Sequence, residues 1–179
     1  MIPFTIRTAS EGDIEALQVL IPLSVRALHA PYYTEQQIEA ALGPVFGVDR
    51  QLIQDQTYFI AEREGRMVGC GGWSKRLSLF GGDEGRARQD GELDPKKDPA
   101  RIRAFFVHPD HARQGIGRAL IDACERGILA EGFTRAEIVA TLAGEPLYAA
   151  CGYAVLERFD IPLQNGMGLP AAKMSRKLR

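Results

Sequence analysis

The sequence predicts a single mixed α/β domain, of the α+β type, that covers residues 1–179. A chain of 179 residues has the length of one ordinary domain. Its composition, 45% hydrophobic and 25% charged, is that of a globular protein with a core. Segments with strand or helix periodicity alternate along the chain, and no repeat or linker separates them. The predicted order is strand, two helices, three strands, helix, strand, helix and two strands.

The first strand and helix are predicted from residues 4–28. Residues 4–7 alternate like a short strand, and Thr8 three residues before Glu11 has the capping-box pattern of a helix that begins near residue 10. Apolar residues then continue at helical spacing. Pro22 is expected to kink or interrupt this helix, because proline has no amide hydrogen.

A second helix and a hairpin follow. A capping box at residues 34–37 begins the helix, which is predicted to stop at Gly43-Pro44. Strands at residues 58–61 and 67–73 flank a turn that contains glycine, as in a hairpin. The glycines after Val68 predict a bulge or a close approach of another part of the backbone.

The segment of residues 75–101 is polar, rich in Gly, Asp and Pro, and too long for a plain hairpin connection. Two interpretations are open. The segment is either a lid over a site or a solvated excursion without a role.

The second half of the chain contains the most apolar strand, at residues 101–107. This strand is predicted to be central, with Phe105 and Val107 on one face and Ile102, Ala104 and Phe106 on the other. The elements predicted after it are a turn over residues 108–114, a helix from residue 116 to Gly132, a strand at 135–141, a short helix at 144–152, and strands at 153–160 and 172–178.

Charge and cysteine content exclude several function classes. With 22 basic and 23 acidic residues the formal net charge is −1, so no nucleic acid or membrane partner is expected. No signal peptide or membrane span is predicted, which favours a cytoplasmic location. Cys70, Cys124 and Cys151 are an odd number without C-x-x-C spacing and are predicted to be buried thiols. His108 and His111 bracket a turn, so no metal is expected.

The turn from the central strand into the following helix carries the pattern that points to chemistry. A helix that opens with Gly115-Ile116-Gly117 presents unpaired amide hydrogens and a partial positive charge, and the glycines let a phosphate approach closely. Arg113 and Arg118 flank this turn and can neutralise phosphate charge. The pattern predicts a pyrophosphate cradle; the alternative is a glycine-rich helix start with solvated arginines.

A dinucleotide-binding Rossmann turn is the nearest competing interpretation. Gly115 and Gly117 supply two of its glycines, and Glu137 lies about 20 residues further on. Against it, Leu120 occupies the third glycine position, a seven-residue turn separates strand from glycines, and the motif comes late in the chain. A P-loop is excluded, because the sequence contains no Gly-Lys-Ser or Gly-Lys-Thr.

The same turn resembles the signature of the GNAT superfamily of acyl-CoA-dependent N-acetyltransferases. That signature is a strand ending in Val-x-Pro, a loop, and (Gln or Arg)-x-x-Gly-x-(Gly or Ala) at the start of a long helix. Val107-His108-Pro109 and the residues from 115 to 120 match it, while Ala112 stands at the Gln or Arg position. Residues 146–153 are similar to the family's Pro-Phe-Tyr-x-x-x-Gly-Phe segment. The resemblance covers essentially the whole chain.

The resemblance implies a mostly antiparallel central sheet of six to seven strands flanked by about four helices. It also implies transfer of an acetyl group from acetyl-CoA, as co-substrate, to a primary amine of a small molecule or peptide by direct attack within a ternary complex. A homodimer is compatible with it. The residues implied to bind the CoA diphosphate and pantetheine are Phe105, Phe106, Val107, Arg113, Gln114, Gly115, Ile116, Gly117 and Arg118.

Tyr148 is implied to be the catalytic general acid, because the family often places a tyrosine at this position beside the CoA sulfur. A departing thiolate has a conjugate acid of pKa near 8.5, and a tyrosine of pKa near 10 stays protonated at neutral pH and can supply the proton. The alternative is a core aromatic residue on a short amphipathic helix.

The base that deprotonates the amine is not identified. Many relatives carry an acidic residue on the central strand, where this chain has Arg101-Ile102-Arg103. The open candidates are Glu62, Glu92, Asp94, His29 and a chain of water molecules.

The acceptor is also open. The family implies that the two helices after the first strand and the strand ends facing them select it, and the aromatic candidates there are His29, Tyr32, Tyr33, Phe46 and Trp73. Alternatively, these aromatic side chains pack in the hydrophobic core and do not contact the acceptor. A non-catalytic domain that binds acyl-CoA as a sensor or interaction module is the competing function.

Overall fold

The computed structural model describes residues 3–85 and 91–179, and seven strands of these residues form one sheet. The order across the sheet is β1-β2-β3-β4-β5-β7-β6. All neighbours pair antiparallel except β4 and β5, which are parallel. This confirms the predicted mostly antiparallel α/β fold. The strands are β1 (Thr5–Thr8), β2 (Tyr58–Arg63), β3 (Arg66–Ser74), β4 (Ala100–Val107), β5 (Arg135–Thr141), β6 (Ala154–Pro162) and β7 (Gly168–Lys177).

Five α-helices of the described residues cover the two faces of the sheet. Leu17, Ile21 and Ile38 of the first two helices share a core with Ile60 and other residues of one sheet face. The residues of the fourth helix at 121, 124 and 128 form the core of the opposite face. The helices are α1 (Ile14–Leu28), α2 (Glu35–Ala41), α3 (Arg50–Gln54), α4 (Ile116–Ala130) and α5 (Glu145–Ala150).

The interruption expected at Pro22 is not found, because α1 runs through it without a break. Proline removes one hydrogen bond to the carbonyl four residues earlier, which belongs to the exposed residue Gln18 and is accessible to water. Leu17 and Val25 are buried on either side of Pro22, and their packing holds the helix together.

The start of this region also differs from the prediction. The capping box consists of Ser10 and Asp13 instead of Thr8 and Glu11, and the Ser10 amide donates to the Asp13 carboxylate at 2.8 Å. The capping box of Thr34 and Gln37 is confirmed. Helix α3 was not predicted, because five residues are too few to show a period.

A β-bulge in β4 changes which residues face the two sides of the sheet. Cys70 pairs with Phe106 and Gly72 with Arg103, so the single residue Gly71 lies opposite two residues of β4. Ala104, one of these two, has a φ of +58°. The predicted alternation is therefore wrong for Ile102, which packs against α4 and not on the face of Phe106. The bulge predicted from the glycines is confirmed.

Strands β4 and β5 pair over only two positions, at Ala100–Ala136 and Arg101–Glu137. Beyond these pairs the strands separate, although both continue for several residues. The later residues of β4 therefore border a gap in the sheet.

Candidate active site

A cleft of about 560 Å³ occupies this gap. The end of β5, α5 and the turn before α4 line it together with β4. The side chain of Phe105 packs on the α4 face of the sheet, and that of Phe106 packs on the α1 face. Because both residues line the cleft, the cleft leads from one face of the sheet to the other.

Nine of the ten residues predicted for cofactor binding and catalysis line this cleft. Gln114 does not belong to the lining. Its side chain accepts a hydrogen bond from Arg63 at 2.6 Å and donates one to the Asp110 carbonyl at 3.3 Å. The nine residues in the lining are Phe105, Phe106, Val107, Arg113, Gly115, Ile116, Gly117, Arg118 and Tyr148.

At the end of the turn into α4, the amides of residues 114–118 make no hydrogen bond within residues 3–85 and 91–179. Arg113 and Gly115 both have positive φ angles, +63° and +86°, which bring the chain into the helix. The first helical hydrogen bond runs from the Ala119 amide to the Gly115 carbonyl. The turn thus fits an anionic group such as a diphosphate.

Arg63, at the end of β2, supports this turn. Its guanidinium donates to the Gln114 side chain and contacts His111 Nδ1 at 2.9 Å. Arg118 donates to the Ala150 carbonyl at 3.1 Å and so connects α4 with α5. Sequence reasoning missed Arg63, which lies about fifty residues away and belongs to no motif.

Two glycines of β3 let other parts of the site approach the strand. A Cβ atom at Gly69 would lie 2.7 Å from Cγ2 of Ile116, and one at Gly71 would lie 2.7 Å from the ring of Phe105. These approaches are made by side chains and not by another part of the backbone, and they position the first turn of α4 and the ring beside Tyr148.

Tyr148 projects from α5 and is 5% exposed. Its ring contacts those of Phe105 and Tyr153 edge to face, with centroid distances of 6.1 and 6.2 Å. Gly144 leaves the necessary space, since a Cβ atom there would lie 3.0 Å from Tyr148 Cε2. Burial raises the pKa of Tyr148 well above its ordinary value, so the hydroxyl keeps its proton at neutral pH.

At the α1 face the cleft is lined by His29, Tyr32, Phe46 and Phe80, which we call the α1 end. His29 is buried, and its ring lies 5.1 Å from that of Phe46. Its Nδ1 atom has no hydrogen-bond partner among the described residues. Burial lowers the pKa of His29 to about 4, so the imidazole is neutral at pH 7.

Other acceptor-site candidates lie elsewhere. The Tyr33 hydroxyl donates to the Pro170 carbonyl at 2.6 Å and accepts from the Leu142 amide at 2.9 Å, which is a structural role. Trp73 packs against Phe133 on the α4 side.

The acidic candidates for the base are also absent from the cleft lining. Glu62 pairs with Arg7 at 2.7 Å, and Asp94 lies 3.4 Å from Lys97. Glu92 lies opposite Arg76 in an isolated β-bridge. Of the side chains named as candidates, only His29 lines the cleft.

Part of the polar segment of residues 75–101 contributes to the wall of the cleft. Leu79, Phe80 and Gly81 contribute to the lining, while residues 86–90 lie outside the described part of the chain. Arg103 of β4 holds this segment by donating to the carbonyls of Ser78 and Gly81. In the sequence, the apolar pair Leu79-Phe80 within a polar stretch is the feature that could have predicted a contact of this segment with the cleft.

Arg103 also forms a buried ion pair with Asp49, at 3.2 Å. Both side chains are almost inaccessible to water, so the carboxylate compensates the charge of the guanidinium. The pair connects β4 with the residue that caps α3.

The three cysteines are buried and free, as predicted. Across residues 3–85 and 91–179, no group of three His, Cys, Asp or Glu side chains is arranged to hold a metal ion. In the same residues no helix has the length and apolar character needed to cross a membrane.

A strand that parts from its parallel neighbour, followed by a helix start with free amides, forms a cleft that fits a ligand with an anionic group. Residues 23–153 match the family model described as the acetyltransferase (GNAT) family. The chain therefore belongs to this family of acyltransferases.

Solved structures share the fold over nearly the whole chain. A GCN5-related N-acetyltransferase (aminotransferase, class II) from Rhodopseudomonas palustris is 23% identical, with a TM-score of 0.72 and coverage of 97% of this chain and 95% of that one. The PaiA N-acetyltransferase from Thermoplasma acidophilum, in complex with coenzyme A, is 15% identical, with a TM-score of 0.65 and coverage of 98% and 99%.

A third solved structure is YncA, a putative acetyltransferase from Salmonella typhimurium with its cofactor acetyl-CoA. It is 17% identical, with a TM-score of 0.62 and coverage of 99% of this chain and 95% of that one. No curated protein sequence matches the chain significantly.

Proposed function

We propose that this protein transfers an acetyl group from acetyl-CoA to the primary amine of a small molecule or peptide, by direct attack within a ternary complex. The observation that carries the proposal is the set of unpartnered amides at residues 114–118, at the mouth of a cleft that passes through the sheet. Coenzyme A and acetyl-CoA are present in two of the solved structures with the same fold.

The turn before α4 would hold the diphosphate of the donor. The amides of residues 114–118 donate to phosphate oxygens, and the positive end of the α4 dipole adds a favourable field. Arg113 and Arg118 line the same end of the cleft and contribute positive charge. The pantetheine arm would then follow β4 along Phe105 to Val107.

The thioester would lie between β4 and Tyr148. A thioester supplies an activated acetyl group, and its carbonyl oxygen gains negative charge when the amine attacks. An unpaired amide of β4, beyond the last pair with β5, can donate to that oxygen. The Tyr148 hydroxyl, held protonated by burial, donates to the departing sulfur.

We further propose that residues 1–179 form one domain that acts without a nucleic acid or membrane partner. All seven strands belong to one sheet, and the α-helices pack on its two faces. No second core separates from this sheet within residues 3–85 and 91–179.

The proposal is tested by binding and turnover measured on the same sample. Acetyl-CoA at a hundredfold excess over its dissociation constant should stabilise the protein by about 2.7 kcal/mol in a melting scan, because it binds only the folded state. NAD and ATP serve as controls, and release of free CoA on addition of amines reports transfer. Stabilisation by NAD alone would contradict the cradle assignment. Binding of acetyl-CoA without amine-dependent release of CoA would support the sensor instead.

A further inference from the structure

We infer that the α1 end of the cleft takes an apolar monoamine in its uncharged form, with His29 as the hydrogen-bond acceptor for its N–H group. This inference rests on the proposed function and specifies the acceptor class. An aliphatic or aromatic amine without a second positive charge fits the residues that line this end.

The α1 end offers a largely apolar surface. His29, Phe46 and Phe106 form a continuous row of rings, with centroid distances of 5.1 and 6.1 Å. Both contacts are edge to face, so the rings pack closely into the wall of the cleft. Phe80 and the aliphatic side chains of Leu28, Val45, Leu79 and Ile161 complete the wall. Such a wall favours the hydrocarbon part of an acceptor.

Among the residues that the structure describes, no Asp or Glu lines the cleft. Arginine side chains at three positions do line it, Arg103, Arg113 and Arg118. The nearby carboxylate of Asp49 is buried and already pairs with Arg103. An ammonium group would lose its hydration at this end without gaining a carboxylate, and a buried unpaired charge is unfavourable. A polyamine or aminoglycoside would carry several such charges.

His29 supplies a buried polar contact within this largely apolar wall. Its Nδ1 is buried and has no partner in the described residues, although buried polar groups are nearly always hydrogen-bonded. A neutral imidazole accepts one hydrogen bond, and the N–H group of an uncharged amine is a donor of suitable size. The free hydrogen-bonding capacity of His29 Nδ1 therefore suits an uncharged amine, which the apolar wall also favours.

The proton balance of the transfer agrees with this choice. A neutral amine brings two hydrogens on nitrogen; the C–N bond forms and the C–S bond breaks. One hydrogen stays on the amide product, and the other replaces the proton that Tyr148 gives to the thiolate. No net proton leaves the site, so the transfer does not need a carboxylate base.

The test compares two isosteric acceptors, heptylamine and 1,6-diaminohexane, in which a terminal methyl replaces an ammonium group. We expect kcat/KM for heptylamine to be at least about tenfold higher, because the second charge meets an apolar wall. The matched variants Tyr32→Glu and Tyr32→Gln refine the test, since Tyr32 lines the α1 end and is half exposed. Only the glutamate should raise kcat/KM for the diamine, by about threefold or more, through its charge.

Equal or faster acetylation of 1,6-diaminohexane would overturn the inference. So would refusal of both heptylamine and 2-phenylethylamine by a protein that binds acetyl-CoA. In either case the melting scan with acetyl-CoA still reports donor binding separately, and release of CoA with other primary amines reports transfer. Failure to bind acetyl-CoA would instead remove the proposed function itself.

Discussion

Tyr148 shows how burial of a side chain affects its chemistry. Desolvation disfavours the phenolate, so the pKa rises and the hydroxyl remains a donor throughout the neutral range. A group whose pKa lies above that of the thiol does not transfer its proton completely before the C–S bond weakens. In the proposed transfer, the hydroxyl would first donate a hydrogen bond that strengthens as the sulfur becomes negative. It would give its proton to the thiolate only as the amine proton replaces it.

Replacing this hydroxyl tests the role directly. Tyr148→Phe should lower kcat by roughly 10²-fold and leave the dissociation constant of acetyl-CoA nearly unchanged, since the ring contacts with Phe105 and Tyr153 remain. Steady-state kinetics and calorimetric titration measure the two quantities.

Tyr153→Phe is the matched control for this measurement. The Tyr153 hydroxyl donates a hydrogen bond to the Glu125 carboxylate at 2.9 Å, and Tyr153 does not line the cleft. Its variant should keep kcat within about twofold of the parent. An unchanged kcat in Tyr148→Phe would reduce that residue to a packing role.

At the scale of elements, α4 and α5 approach each other at a glycine. A Cβ atom at Gly117 would lie 2.7 Å from Cδ2 of Leu147, so any side chain there displaces a leucine of α5. The variants Gly117→Asp and Gly117→Asn share this steric effect and differ in charge. Gly117→Asp should bind CoA at least about tenfold more weakly than Gly117→Asn, because its carboxylate lies beside the diphosphate.

Titration calorimetry with CoA compares these two variants. Equal dissociation constants would show that the diphosphate binds away from the start of α4. A melting scan without ligand confirms that both variants fold to the same extent.

At the scale of the whole molecule, an ion-pair cluster near the N-terminus makes stability depend on pH. Arg7 contacts Asp13 and Glu62, each at 2.7 Å, and so connects β1, the start of α1 and β2. The hydrogen bond from Arg7 lowers the pKa of Asp13 from 3.8 to about 2. A depressed pKa means that the carboxylate stabilises the fold above about pH 4 and loses this effect as the pH falls toward 2.

Urea unfolding at several pH values measures this contribution. The parent should be more stable than Asp13→Asn by about 1–2 kcal/mol at pH 6, discounted for the partly exposed arginine. The difference should shrink steadily between pH 4 and pH 2. A difference that stays constant over this range would show that Asp13 acts through packing or capping alone.

Much of the fold follows from local patterns along the chain. The hydrophobic spacing of α4 and the apolar run of β5 predicted their positions, because each pattern extends over several residues. The turn between β4 and α4 was identified by its glycines and by its family resemblance.

Other features depend on contacts that no local pattern reports. The positive φ of Ala104, which reverses the faces of β4, results from pairing with a glycine about thirty residues earlier. Arg103 and Asp49 are likewise distant in sequence, so their ion pair emerges only from the tertiary structure. The position of His29 beside Phe46 depends on how α1 ends against the loop after α2.

The short pairing between β4 and β5 divides the sheet into two panels, which are joined at only two residue pairs. A panel of four strands lies on one side and a panel of three on the other. In the proposed function, a donor molecule bound at this junction would contact both panels at once. Binding of the donor would then restrain the two panels relative to each other, and release of CoA would remove this restraint.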